Sequence, residues 1–483
     1  MAGIELYRER LRRAASALKA LIVTLAFAAI GVLLGTTVTS PDWKRAVTYS
    51  GMGIYVVALL LNPLLGFLFW IATSPFGRFT YLNISLGASI PDLSLDRLAA
   101  ALVIILLLAP LAIRKRTLAS LSVVDLMVVL FIVGTGISLP FALAGPRATV
   151  QAYFDTQIVP LVVYFVAKNL IVGRRKTKAA TMTLLFVAAY MSFLVIREQL
   201  TGEILFYPEG RTIAYTAHLR RAVGLLGNPA FFAMIFGMTL PFAFRAFINA
   251  RSPLGRVLYL TLIGVIIYAL YLCYNRAGYV GALLALILMS LLYPEFRRRF
   301  VPLLIIAGIL IAYFWGQISE SYIFTERVTA QGPIDYRLNA IGVARRMVAE
   351  NLLFGRGYGN FGYLYGNYAS DWTQQNVLPA PHNSYINILV SSGLAGFLPY
   401  IGIFAAIFFQ GLRLWLRGAY IHAIDRPLLA CMMAATVVYA STISFSDIVA
   451  VPYVTMVYYF IVGLTLGPQE RASRWGDAEA WLT

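Results

Sequence analysis

Apolar runs of roughly 17–25 residues recur along almost the whole chain, and short polar connections separate them. This pattern predicts an all-α, polytopic helical membrane protein, which we treat as a single integral membrane domain over residues 1–483. We place spans near 18–36, 46–60, 61–73, 97–113, 122–142, 151–172, 178–198, 229–249, 256–274, 277–293, 300–316, 384–412, 428–446 and 453–467.

The stretch 46–73 can be divided in two ways, because Asn62-Pro63 is its only break. One long tilted helix would place the basic cluster at residues 114–116 outside, whereas two short passes keep every basic cluster inside. We therefore predict about 14 spans, with about 12 or 13 as the alternatives.

The longest polar segment covers residues 317–384, and a connection of this length usually has structure or function of its own. Asp335 is a candidate N-cap for an amphipathic helix over 336–352. Its apolar positions are Leu338, Ile341, Ala344 and Val348. The following stretch, 355–362, is glycine-rich and is expected to be irregular.

The net charge of +18 is explained by membrane sidedness. Lys and Arg cluster in short connections, and the positive-inside rule places these connections in the cytoplasm. Both termini are then cytoplasmic, 317–384 is a large periplasmic loop, and no nucleic-acid partner is indicated. No small-residue cleavage pattern follows 18–36, which we expect to be a retained span. Cys273 and Cys431 lie in apolar runs and are expected to pack there.

Three spans that run from outside to inside begin at unusual polar sequences. Asn228 precedes Pro229, Asn275 precedes Arg276, and Asn383 or Ser384 opens the third span; each is a candidate N-cap. Helix N-termini carry free N–H groups and a positive dipole end. If the three starts converge, they form a site for a phosphate or diphosphate headgroup, which arginine can bind through two oxygens at once.

His382 adds a base to this anion site. It is one of three histidines in the chain and lies in Pro379-Ala380-Pro381-His382, just before a span. Nearby arginines and a helix N-terminus favour the neutral imidazole, which can accept a proton from an attacking sugar hydroxyl. The outer face has no Asp-x-Asp pair, no His-Glu-x-x-His and no carboxylate cluster, so neither a metal nor another cofactor is expected.

Each candidate also has a purely structural interpretation. Arg220 and Arg221 can be interfacial residues that extend to lipid headgroups. His382 can be a helix-cap residue, and His218 is marked only by its nearness to Arg221. Arg276 is different, because it lies between two apolar spans with almost no connection, where an arginine without a partner is costly.

Together these segments resemble the O-antigen ligase and polymerase superfamily, which includes the WaaL ligases, the Wzy-type polymerases and the ExoQ-like exopolysaccharide polymerases. The resemblance covers roughly residues 180–465, and it rests on the order, spacing and shared outer placement of its pieces. The matching pieces are Arg221-x-x-Gly224 with Gly227-Asn228-Pro229, Asn275-Arg276-Ala277-Gly278, Arg337 with Gly355-x-Gly357-x-Gly359-Asn360-Phe361, and His382-Asn383-Ser384-Tyr385 followed by Gly393 and Gly396. Ala230 stands where the family often has Asn, and the extra N-terminal spans are a second departure.

The resemblance implies a GT-C-like, metal-independent and inverting glycosyltransferase in the bacterial inner membrane. Its donor would be a glycan on undecaprenyl diphosphate, presented on the periplasmic side. Arg221 and Arg276 would hold the diphosphate, His382 would activate the acceptor hydroxyl, and Arg337 would bind donor or acceptor. Further candidates for substrate contact are Arg220, Asn383, Asn228 and His218.

The sequence leaves the acceptor open. We favour ligation onto lipid A–core over polymerisation onto a second lipid-linked glycan, and transfer to a protein is a third alternative. A transporter or flippase of lipid-linked glycans is the alternative of a different class. Transporters tend to place polar groups at the midplane of repeated halves, whereas the polar groups here lie at outer helix ends and no repeat is apparent.

Overall fold

The computed structural model describes residues 43–79, 83–84, 92–112, 118–205, 222–320, 332–369, 379–447 and 451–475. The chain forms two compact units, which are treated separately below. The first comprises residues 1–86 with 92–117, and the second comprises residues 87–91 with 118–483. The single membrane domain over 1–483 stays a prediction, and the predicted span 18–36 lies outside the described residues.

The first unit contains two helices where the sequence leaves the number of passes open. Asn62 caps the second of them, and its side chain accepts a hydrogen bond from the Leu64 N–H. A Cβ added at Gly66 would lie 2.5 Å from the Leu59 Cα. Residues seven apart are about 10 Å apart along one helix, so the chain reverses sharply at Asn62-Pro63. The elements are α1 (Trp43–Leu61), α2 (Pro63–Thr73), a 3-10 helix (Ser74–Phe79), α3 (Leu95–Ala112), and the antiparallel pair β1 (Asn83–Ile84) and β2 (Leu93–Ser94).

The second unit is helical throughout its described length. Its α-helices are α4 (Val123–Gly136), α5 (Pro146–Tyr153), α6 (Val159–Leu170), α7 (Arg174–Thr201), α8 (Pro229–Ile248), α9 (Pro253–Leu272), α10 (Arg276–Leu292), α11 (Pro294–Tyr313), α12 (Trp315–Glu320), α13 (Gly332–Glu350), α14 (Phe361–Tyr368), α15 (Ser384–Arg417), α16 (Arg426–Thr442) and α17 (Pro452–Trp475). A 3-10 turn (Leu139–Phe141) follows α4, and a π-turn (Phe154–Ile158) joins α5 to α6.

Six helical stretches among the described residues are long and apolar enough to cross a membrane. The all-α, multi-pass membrane fold is therefore confirmed, whereas the predicted number of spans stays a prediction. The six stretches are Val123–Phe141, Pro146–Leu170, Arg174–Thr201, Pro229–Ile248, Pro253–Leu272 and Ser384–Arg417.

The predicted span 384–412 lies within α15, which breaks at Gly393. This glycine has φ 58° and ψ −157°, which is not helical. The rings of Tyr385 and Tyr400 lie 5.8 Å apart, although 15 residues of straight helix would separate them by about 22 Å. The first half of α15 therefore folds back towards the second half and places its N-terminus beside the tyrosine-rich core.

The glycine-rich stretch fills this break. Leu394 and Ala395 donate their N–H groups to the carbonyls of Leu352 and Leu353, at 2.9 and 3.0 Å. In return the Arg356 N–H donates to the Val390 carbonyl at 2.7 Å. These bonds satisfy backbone groups that a break inside a membrane would leave without partners. Gly355 is needed for this close packing, because a Cβ added there would lie 2.6 Å from the backbone nitrogens of Ser392 and Gly393.

Helix α13 differs from its prediction in start and in face. It begins at Gly332, so Asp335 lies inside its first turn and is not the N-cap. Leu338 and Ile341, predicted on the apolar face, are exposed. The buried face consists of Ala340, Val343, Ala344 and Met347, which pack against Phe361, Tyr365 and Val390. The buried face of α13 is thus rotated away from the larger apolar residues that the prediction used. Small side chains on the buried face let α14 and α15 approach closely.

Candidate functional site

The three helix starts singled out in the sequence share one local structure. In each, a residue in the left-handed region precedes an extended asparagine: Gly227 (φ 73°), Tyr274 (φ 44°) and His382 (φ 48°). That asparagine is the N-cap of the helix, and its side chain accepts a hydrogen bond from a backbone N–H group of the first turn. The caps are Asn228 (to Ala230 N, 2.9 Å), Asn275 (to Gly278 N, 2.7 Å) and Asn383 (to Ile386 N, 3.1 Å). This confirms the predicted caps and assigns the third to Asn383 rather than Ser384.

Close packing brings the starts of α8 and α10 together. A Cβ added at Gly278, in the first turn of α10, would lie 2.5 Å from the Cβ of Ala233 in α8. One turn later, a Cβ added at Gly281 would lie 3.0 Å from the side chain of Thr442, where α16 ends. Glycine at Gly278 is therefore needed for α10 to approach α8, and glycine at Gly281 allows close packing against the end of α16.

The start of α15 is bonded to the segment that follows α16. The Ser384 N–H donates to the Ile443 carbonyl at 2.9 Å, and its hydroxyl donates to the Ser446 carbonyl at 2.8 Å. The starts of α8, α10 and α15 and the end of α16 thus meet at one end of the second unit, which we call the site end. Three positive dipole ends face the same region there.

His382 lies at the site end beside helix α13, with part of its side chain covered and part exposed. Its ring centroid is 5.6 Å from that of Tyr336, whose hydroxyl donates to the Ala380 carbonyl at 3.0 Å. Partial burial and the positive charge of Arg337 lower the pKa of His382, while Asp447 opposes this shift. The imidazole is therefore neutral at neutral pH and can accept a proton. A positive φ is uncommon outside glycine, although histidine is among the residues that tolerate it.

Arg337 interacts electrostatically with both Arg276 and His382. Its guanidinium is 5.6 Å from the ring centre of Phe445 and donates to the Phe445 carbonyl at 3.4 Å. Burial and the neighbouring Arg276 lower the pKa of Arg337, but a guanidinium stays charged at neutral pH. Two like charges held this close favour an anion between them, and a diphosphate has the charge and oxygen spacing to occupy that position.

Asp447 is a member of the site that sequence reasoning missed. It lies just after α16, and its carboxylate accepts a hydrogen bond from the Asn387 side chain at 2.8 Å. Its charge acts on His382. The only sequence signal is an acidic residue at the outer end of an apolar run, and nothing in the local pattern links it to a histidine 65 residues earlier.

Glu198 is the second residue that was missed. It is buried in the last turn of α7, where its two carboxylate oxygens accept hydrogen bonds of 2.9 Å from the N–H groups of Val223 and Gly224. This carboxylate fixes the backbone that leads into α8. The predicted site residues Arg220, Arg221 and His218 precede that backbone and lie outside the described residues, so their roles stay predictions.

The structure thus brings together five of the predicted residues. Arg276, Arg337 and His382 form a continuous electrostatic group, and Asn383 and Asn228 cap the helices beside it. The amide oxygens of both asparagines are used in capping, which makes their role one of positioning. The arrangement supplies an anion-binding pair of guanidinium groups next to a neutral base.

Comparison with known proteins connects this geometry with a family. Residues 259–401 match the family model described as O-antigen ligase. That range includes Arg276, Arg337 and His382, whereas Asp447 and Asn228 lie beyond it. No curated protein matches the chain significantly. The match confirms the resemblance seen in the sequence: over residues 259–401 this multi-pass membrane protein is similar to the O-antigen ligase family.

Proposed function

We propose that this protein transfers a glycan from undecaprenyl diphosphate to an acceptor hydroxyl at the periplasmic face of the bacterial inner membrane. One observation carries the proposal: three capped helix starts converge where Arg276, Arg337 and His382 interact electrostatically. A carrier diphosphate suits the arginines and the dipole ends, and a sugar hydroxyl suits the neutral imidazole.

In the proposed reaction, Arg276 and Arg337 hold the diphosphate of the donor, with Arg221 as a third contact. The acceptor hydroxyl oxygen attacks the anomeric carbon from the face opposite the diphosphate. The new carbon–oxygen bond forms as the bond to the diphosphate oxygen breaks, so the anomeric configuration inverts. His382 takes the hydroxyl proton and later releases it to water. The guanidinium groups stabilise the negative charge that develops on the leaving diphosphate.

Asp447 and Asn383 position the base in this scheme. The charge of Asp447 acts on His382 and stabilises the imidazolium that forms during transfer. Asn383 fixes the backbone directly after the histidine by capping α15. The periplasmic loop 317–384 supplies Arg337 and Tyr336 through α13, so that the loop covers the site from the outer side.

Lipid A–core is the acceptor that we favour, and the same chemistry would serve a polymerase or a protein ligase. The test uses purified protein, a glycan on undecaprenyl diphosphate, and lipid A–core. We expect release of undecaprenyl diphosphate together with glycan-capped lipid A–core. Longer lipid-linked chains in place of capped lipid A would identify a polymerase. No release with any acceptor would contradict an enzymatic function.

Metal independence is tested in the same assay. The guanidinium groups neutralise the diphosphate in the proposed mechanism, so EDTA should leave the rate unchanged. Loss of activity in EDTA and its recovery with a divalent cation would overturn the assignment of charge neutralisation to arginine alone.

A further inference from the structure

Three consecutive apolar residues are exposed directly after α13. Leu352, Leu353 and Phe354 are 50%, 60% and 47% exposed. A run of this kind on a surface that faces water favours association with other apolar surfaces. Their backbone is well fixed, because the carbonyls of the two leucines accept hydrogen bonds from α15 where it breaks. Their exposure therefore belongs to the folded arrangement.

The position of α4 gives the height of this run relative to a membrane. The helical stretch Val123–Phe141 has 19 residues, which corresponds to a length of about 28 Å. This is close to the hydrocarbon thickness of about 30 Å. Phe141 therefore lies near one boundary of the hydrocarbon, while Val123 lies near the other.

Hydrogen bonds connect the exposed run to that boundary. The Asn360 side chain donates to the Phe141 carbonyl and accepts from the Leu143 N–H, both at 2.8 Å. Phe141 and Leu143 are themselves 65% and 56% exposed. Asn360 thus lies at the level where α4 leaves the hydrocarbon. The carbonyls of Leu352 and Leu353 bond to the part of α15 that packs against Gly134, within about 10 Å of that level.

The surroundings are those of a lipid interface. The exposed apolar residues Val133 and Ile137 on α4 and Leu398 on α15 continue the same surface towards the bilayer interior. On the other side, exposed Arg345 and Arg346 lie about one turn before the end of α13, and basic residues are well placed there for lipid phosphates. A protein partner would not need this continuity with the lipid-facing helices.

We infer that Leu352, Leu353 and Phe354, together with Phe141 and Leu143, form a strip that inserts into the interfacial region of the outer leaflet. Lipid acyl chains would cover the strip, and lipid headgroups would contact Arg345 and Arg346 on α13. The insertion would pin the loop 317–384 to the bilayer. This inference concerns membrane contact only, and it does not depend on the proposed reaction.

Site-directed fluorescence in nanodiscs tests the strip. Leu353→Cys is labelled with the environment-sensitive fluorophore NBD, and the unsubstituted protein controls for labelling of the buried Cys273 and Cys431. Tyr420→Cys, on the exposed connection between α15 and α16, is the aqueous reference. Leu398→Cys is the lipid reference. Quenching is measured with aqueous iodide and with lipids that carry a doxyl group at shallow or deep positions.

We expect iodide to quench Leu353→Cys severalfold less than Tyr420→Cys, and shallow doxyl groups to quench it more than deep ones. Quenching by iodide equal to that of Tyr420→Cys would overturn the inference. Protection from both iodide and doxyl lipids would also overturn it, because a protein surface would then cover the strip. Phe354→Cys carries the same expectations and replaces Leu353→Cys if that variant does not purify as a single species.

Discussion

The two ends of the second unit differ in whether selected cationic side chains have a carboxylate partner. At the site end, neither Arg276 nor Arg337 forms an ion pair with any residue that the structure describes. At the opposite end, the buried Lys168 ammonium lies 2.6 Å from Asp125 and 3.4 Å from Glu470. Asp125 also accepts a hydrogen bond from Tyr164 at 2.9 Å. The buried Lys168 is thus paired within the protein, whereas Arg276 and Arg337 have no carboxylate partner among the described residues, as expected of groups that bind an anion.

The difference separates structural from functional charge. Arg245 pairs with Asp425, and the Asp425 N–H donates to Gln469 at 2.7 Å, so this pair helps to hold α8, α16 and α17 at the opposite end. Buried ions of this kind are costly unless they are fully paired. An arginine whose anion is absent from the folded chain is better explained by a ligand. Variants at the site end should therefore lose turnover, whereas variants at the opposite end should lose stability.

The largest effect is expected from His382→Ala at the site end. Loss of the general base should lower the rate of transfer by about 10²–10⁴-fold, while donor binding is largely retained. The measurement is turnover of purified protein alongside binding of the lipid-linked donor. His422→Ala, an exposed histidine beyond α15, is the matched control and should keep the normal rate. Near-normal turnover of His382→Ala would show that His382 is not the general base.

The opposite end should respond through stability. Lys168→Met leaves Asp125 and Glu470 without their buried cation, which should cost about 3–5 kcal/mol. We expect a lower temperature of thermal unfolding in detergent, with turnover per folded molecule unchanged. Lys178→Met, exposed at the start of α7, should leave the unfolding temperature unchanged. Loss of turnover without loss of stability would show that the opposite end also takes part in the reaction.

In the proposed reaction, Arg276 stabilises the negative charge that develops on the leaving diphosphate. Arg276→Ala should lower kcat/KM by about 10²–10³-fold, the scale for removal of one charge-stabilising donor, and should weaken donor binding. Arg276→Lys should recover only part of this loss, because an ammonium lacks the planar fork. Arg251→Ala, an exposed arginine at the opposite end, is the control. Full activity of Arg276→Ala would mean that the diphosphate binds elsewhere.

The smallest effect concerns pH. The pKa of His382 is lowered by burial and by Arg337 and is raised by Asp447, and the neighbouring Tyr336 stays neutral because burial raises its pKa. The value of kcat/KM should therefore fall only at pH values below the usual pKa range of histidine. Arg337→Gln should move this acid limb of kcat/KM to higher pH, and Asp447→Asn should move it to lower pH. Shifts in the same direction would show that another group controls the limb.

Local chemistry explains what the sequence could predict. Each of Asn228, Asn275 and Asn383 caps a helix through a bond that spans two or three residues, so the pattern is visible in the chain itself. The break at Gly393 was not predicted as a break, because its stability comes from the carbonyls of Leu352 and Leu353. Those partners are about forty residues away in the sequence.

The same distinction applies to the site. Arg276 and His382 could be predicted because charge beside an apolar run is costly. Asp447 and Glu198 could not, because their partners come from distant parts of the chain: Asn387 on α15, and the backbone of Val223 and Gly224 before α8. These contacts depend on how distant segments pack together, which the hydrophobic periodicity of the sequence does not show.

The most direct test of the account is a structure with the lipid-diphosphate glycan bound. In that structure, diphosphate oxygens should lie within about 4 Å of the guanidinium nitrogens of both Arg276 and Arg337, which is ion-pair distance. The anomeric carbon should then face the imidazole of His382, with space for one acceptor hydroxyl between them. A diphosphate bound away from these arginines, or an imidazole beyond reach of any hydroxyl that could attack, would contradict the account.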